Sequence, residues 1–248
     1  MAVALIVFPV VVLLVLANAW SLVESPRFLA QQWLGKDSRV QAVIFPYTDR
    51  QVSQDVTGFV PHPAASPTTT EIAASRIETV TSQNNAIEPV DAFGKARISV
   101  KDANPQSQTL STTVIQTPYL RATQVQAVAG LDPSATINAG EALISTDVAD
   151  ELGVAVGDQI KIDVPLKDIR STSLSASASP TVVDIVSGSK VVIVGEDTLS
   201  IDRFHRWRDV HTVWYIIGAD PVSWEQVLAL NEYGFLTTSR SVMDDYAG

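Results

Sequence analysis

The sequence predicts an α+β protein: one N-terminal transmembrane helix, then a mixed-sheet domain with short helices. Three observations lead there. No charged side chain occurs from Met1 to Val23, and only Pro9 and Asn18 interrupt the apolar run from Ala2 to Trp20. From Val40 onward, short β-branched runs bounded by Gly, Pro, Asp or Ser recur along the chain. The helical patterns between them are short and do not alternate regularly with the strands, which argues against a doubly wound nucleotide fold.

A helix of about 20 residues rising 1.5 Å each spans roughly 30 Å, the hydrocarbon thickness of a bilayer. Pro9 is tolerated in such a helix, and Trp20 falls where an interfacial aromatic belongs. Residues 1–23 are therefore read as a transmembrane helix or uncleaved signal anchor, and residues 24–248 as the folded domain. A cleaved signal peptide is the competing reading, because Ala17-Asn18-Ala19 is an A-x-A site. Against it, no Lys or Arg precedes the run. A buried core helix is the third reading. The first two place the domain outside the cytoplasm, and the first keeps it at the cell membrane.

Ser25-Pro26 opens a helix as N-cap and first residue; Phe28, Leu29, Gln32 and Trp33 share a face, and Gly35 stops it. Val40–Phe45 is a strand ended by Pro46, and 49–60 holds a second short element. Residues 61–89 are polar, with weak helical spacing over 71–80. Runs 97–101, 111–116 and 124–128 read as strands. Glu141–Ile144 is a strand, Thr146–Leu152 a short helix closed by Gly153, and Gly157-Asp158 a turn into strand 159–164. The Ser/Ala tract 171–179 reads as a hairpin tip or flexible loop. Runs 181–186 and 190–194 flank Gly188 as a hairpin, and 210–217 is another strand. Ser223 and Gln226 form a capping box for a helix carrying Trp224, Val227, Leu228 and Leu230 and stopped by Gly234. Phe235–Val242 reads as a last extended segment, with no closing element after it.

The charge balance is acidic, 27 Asp and Glu against 17 Lys and Arg, a net charge of -10. Nucleic-acid binding needs basic patches and is excluded as a partner class. Without cysteine there is neither a disulfide framework nor a thiolate metal site. No P-loop, G-x-S-x-G elbow or H-E-x-x-H helix occurs. His205 and His211 with Asp202 and Asp209 offer four potential metal ligands, but their spacing fits no zinc signature, and residues around a turn account for them better. His62 stands apart. Arg203, Arg206 and Arg208 near Trp207 and Trp214 read either as a basic-aromatic contact patch or, preferably, as a solvated loop paired to nearby acids. Trp224 reads as core. Glu141, Asp147, Asp150 and Glu151 resemble a carboxylate cluster for acid–base work, but acids at a helix start are better explained by the helix dipole. No catalytic, cofactor-binding or metal-binding residue is assigned, no cofactor is expected, and the chain is not expected to be an enzyme.

Gly140 to Asp158 reads G-E-A-L-I-S-T-D-V-A-D-E-L-G-V-A-V-G-D. This resembles the G-E-x-x-[IL]-S … A-x-x-L-G-[VL]-x-x-G-D segment in the extracytoplasmic domain of ABC-transporter permeases of the FtsX/MacB type. Lys190–Gly195 resembles the family's following strand, and Trp214–Arg240, with W-E-Q-V-L-A-L-N-E-Y-G, resembles permeases of actinobacteria. The middle, about 61–110, is weakly matched. The resemblance implies an extracytoplasmic MacB-like core domain that relays ATP-driven motion and contacts substrate. It implies a second permease protomer and an ATPase subunit as partners, the latter through parts missing from this chain. The basic flank before the first helix and the further membrane helices of such permeases are not in this sequence, so the chain reads as a truncated permease fragment. A secreted or membrane-tethered binding module is the alternative. An exported hydrolase is the third class, and three isolated histidines without cysteine offer it little.

Overall fold

In the computed structural model the described residues are 34–35, 37–46, 51–56, 77–78, 84–100, 109–121, 125, 137–167, 173–187, 190–201 and 210–246. The apolar segment 1–23 and the helix start at Ser25 lie outside them. Among the described residues no helix is long and apolar enough to cross a membrane.

The strands are β1 (Val40–Pro46), β2 (Asn85–Val100), β3 (Leu110–Gln116), β4 (Glu141–Ser145), β5 (Ile160–Lys167), β6 (Ser173–Ala178), β7 (Thr181–Val186), β8 (Val191–Val194), β9 (Val210–Gly218) and β10 (Phe235–Ser239). Among the described residues three short helices, each seen over its full length, accompany them: α1 (Thr146–Leu152), α2 (Trp224–Asn231) and α3 (Arg240–Tyr246). The fold is thus α+β and dominated by its sheet. The strand order is β10-β1-β9-β2-β3-β8-β4-β7, with β5 on β2 and β6 on β5. The β3–β8 and β4–β7 pairs are parallel and the rest antiparallel.

β2 organises the molecule. Its edge pairs with β9 from Asn85 to Phe93, then with β5 from Arg97 to Val100. The register against β3 slips between Phe93 and Ala96, where Lys95 takes a left-handed φ of 60°. An extra residue in one strand bends it, and this bulge is where β9 and β5 divide the edge between them. Central strands are covered on both faces, hence their unbroken apolar runs. In β8, Val191 and Ile193 join one core cluster while Val192 and Val194 join another. In β9, Val213 and Tyr215 face the first cluster, while Trp214 and Ile216 pack with Val227, Leu230 and Phe235 under α2.

Several expectations need correction. The Ser/Ala tract is not a loop but strand β6, which pairs with β5 along its length; small side chains do not prevent a ladder made by the backbone. Runs 181–186 and 190–194 are not a hairpin: β7 and β8 are separated by β4, which pairs with both. The last extended segment ends at Ser239, and a closing helix, α3, follows. β2 begins at Asn85, inside what reads as a polar stretch. Residues 51–55 carry no regular structure; Gln54 instead bonds the main chain of Thr237 on β10 through both ends of its amide. Within run 124–128 only Val125 is described, and it is helical and buried. Of the 71–80 stretch, Ile77 and Glu78 are described and helical.

Candidate functional site

The β4–α1–β5 unit shows what the Gly140–Asp158 pattern does. Gly140 turns the chain at φ 80°, and the Glu141 carboxylate accepts from the Asn138 backbone N–H at 2.8 Å and its amide at 3.0 Å. Ile144, Val148 and Leu152 are buried in one cluster. Gly153 ends α1 at φ 66°, Gly157 turns at φ 97°, and Asp158 accepts from the Ala155 N–H at 2.8 Å. Glu151 pairs with Lys190 on the approach to β8. Asp147 lies in the first turn of α1, where the dipole favours it, and Asp150 is exposed. Glu141 and Glu151 are thus held by different partners, Asn138 and Lys190.

Among the described residues, a dense polar joint lies at one end of the sheet. β1 lies between β9 and β10, and its antiparallel register with β10 puts Val40 close to Arg240. The Arg240 guanidinium donates to three main-chain carbonyls of the incoming chain: Val40 O at 2.8 Å, Asp37 O at 3.0 Å and Gly35 O at 3.4 Å. Gly218, at the end of β9, donates to Arg39 O at 2.8 Å. Its lack of a side chain matters: a Cβ there would lie 2.2 Å from Asn85 Oδ1.

Asp37 holds the other side of the joint. Its Oδ1 accepts from the Arg39 backbone N–H at 3.0 Å and from Arg39 Nε at 3.1 Å; its Oδ2 accepts from Arg39 Nη2 at 2.8 Å and from the Tyr119 hydroxyl at 2.9 Å. Arg121 adds charge at 3.9 Å. The Arg39 side chain, against the cost of burial and with help from the Arg39 N–H and Tyr119, holds the Asp37 carboxyl well below the usual carboxylate range. Burial, then the bond to Asp37, pushes the Tyr119 phenol far above its ordinary value. At neutral pH neither group exchanges a proton, so the cluster fixes geometry. The Tyr119 ring also packs on Tyr215, at 5.8 Å between centroids.

A second polar row crosses the middle of the sheet. Thr212, Asp91 and Gln116 lie opposite one another on β9, β2 and β3. Thr212 donates to Asp91 Oδ1 at 2.8 Å, and Gln116 bonds Leu199 through both ends of its amide. The row thus fastens Leu199 and Thr212, on either side of the 202–209 segment.

Neither the joint nor the row is announced by a motif, because their members come from segments up to 205 residues apart. His62, His205, Asp202, Asp209, Arg203, Arg206, Arg208 and Trp207 lie outside the described residues. His211 is exposed on β9, Trp214 is core, and Trp224 is partly buried. Among the described residues no cluster of three or more His, Asp and Glu could hold a metal ion.

No family model matches the chain, and no curated protein matches it. Among solved structures it is similar to a domain of a candidate permease from Porphyromonas gingivalis: 14% identity, TM-score 0.40, covering 80% of this chain and 88% of that one. At that identity and score the likeness carries no residue or role over to this chain.

Proposed function

We propose that the chain is the membrane-anchored extracytoplasmic domain of an ABC-transporter permease of the FtsX/MacB type. It relays ATP-driven motion and contacts substrate or partner outside the cytoplasm. The ATPase subunit and a second permease protomer are its proposed partners, the ATPase acting through parts not in this chain. The observation that carries the reading is the joint. A domain moved by the membrane segments on either side of it needs its incoming and outgoing chains at one end, tied together, so that displacement tilts the whole sheet. β1 and β10 lie side by side, and Arg240 links them through residues 35–40. The β4–α1–β5 unit supports the same reading, since the glycines, Glu141, Asp158 and the apolar positions of the permease-like pattern have parts in its turns and core.

The experiment is to read the genomic DNA through and beyond codon 248. Further apolar spans of about 20 residues, with a P-loop ATPase gene alongside, are expected. A stop with neither would overturn the permease reading in favour of a free-standing, tethered or secreted binding module.

A further inference from the structure

Between the start of α2 and the last turn of α3 lies a hollow of about 540 Å³, lined by Val56, Val242, Trp224 and Tyr246 and by the carboxyl-bearing Glu225 and Asp245. That is the size of a small-molecule site. The two helices are fastened to each other: the hydroxyls of Ser239 and Ser241 both donate to Val222 O, just ahead of the α2 cap. Ser223 and Gln226 then close the capping box.

The electrostatics are one-sided. No Lys or Arg is among the described residues that line the hollow. Asp245, with Asp244, sits in the last turn of α3, which has no basic residue. A helix C-terminus already carries partial negative charge, so acids there are locally unfavourable. A cation in the hollow would relieve that. Tyr246 is 64% exposed, an aromatic surface available to a ligand.

We infer that this hollow binds an organic ammonium ion with an apolar substituent. The rings of Trp224 and Tyr246 attract the cation through their faces, Glu225 and Asp245 balance its charge, and Val56 and Val242 receive the apolar part. The inference is independent of the permease reading, because it uses only side chains of α2, α3 and residue 56.

The test is a titration of the full 248-residue chain with benzyltrimethylammonium chloride, read as broadening of the probe's methyl proton signal. Saturable binding is expected, weakened about fivefold by Trp224→Leu, as loss of one cation–π contact implies. A Glu225→Gln/Asp245→Asn double variant should weaken it further and should fold normally, since both side chains are exposed. Benzyl alcohol, the neutral control, should not saturate. Absence of saturable binding, equal binding by benzyl alcohol, or undiminished binding by a double variant of unchanged melting temperature would each overturn the inference.

Discussion

Replacing Arg240 with alanine should loosen the joint without unfolding the rest of the sheet. The guanidinium donates to the carbonyls of Gly35, Asp37 and Val40. A hydrogen bond from a charged donor contributes about 1.5–3 kcal/mol. Arg240 is only partly buried, so water can reach the released carbonyls, and the three bonds together should contribute about 2 kcal/mol rather than their sum. At 1.4 kcal/mol per factor of ten, that is roughly 30-fold in local opening. Native-state hydrogen exchange reads it directly. The amides of Val40 and Gly218 donate within the joint, to Asp37 O and Arg39 O, and should lose roughly 30-fold protection. The Val154 amide, bonded to Ala149 O in the α1 unit, should be unaffected. Arg240→Lys should lose nearly as much, because one ammonium cannot reproduce the planar fork. Unchanged protection at Val40 and Gly218 in the alanine variant would refute the assignment of the joint to Arg240.

Leu152→Asp puts a carboxylate among Ile144, Val148 and their neighbours and should cost about 3 kcal/mol or more; an unchanged melting temperature would mean that the residue does not belong to the core. Gly195→Ala should be far worse than Gly153→Ala in urea titrations. A Cβ on Gly195 would lie 2.0 Å from Asn138 O, whereas at Gly153 nothing stands within 4 Å and only the left-handed φ of 66° is paid in strain, about 1–2 kcal/mol. The opposite ranking would contradict the packing of the Asn138 turn on the end of β8. The Asp37 carboxyl has its value lowered by folding, so its contribution is present above the unfolded value near pH 3.9 and is lost as pH falls below it. The stability difference between wild type and Asp37→Asn should therefore stay constant from about pH 5 to 8 and shrink below about pH 4; a difference that varied between pH 6 and 8 would point to another group.

What the sequence reveals here is what is settled locally. The β4–α1–β5 unit can be read residue by residue because its turns, cap and buried face lie within Gly140–Asp158. The same holds for the capping box of α2, whose partners are three residues apart. Strand pairing is not local. β7 and β8 look like a hairpin from their spacing, yet β4, some 40 residues earlier in the chain, lies between them because it pairs with both. α3 follows β10 directly: Ser239 stands where an N-cap would, but its hydroxyl donates to Val222 O, and the acids of the helix sit at the wrong end for its dipole. The joint was hidden for a related reason. Asp37 and Arg240 are unremarkable alone, and only the β1–β10 pairing brings them together. A partial hint lay in an arginine placed directly after an apolar-polar strand run at Ser239-Arg240, but its acceptors are carbonyls, which carry no sequence signal.

The proposed function would have the domain stand on the membrane by its joint, and depth-dependent quenching can read that arrangement. The chain has no cysteine, so single labels can be placed at Ser38, exposed in the joint, and at His211, exposed at the start of β9. From His211 to Gly218, at the joint, β9 rises about 3.3 Å per residue, so the two labels lie roughly 23 Å apart along the strand. With the full chain reconstituted into vesicles carrying a headgroup nitroxide lipid, a fluorophore at Ser38 should be strongly quenched and one at His211 scarcely at all. Equal quenching at the two positions, or none at Ser38, would mean that the joint does not face the membrane.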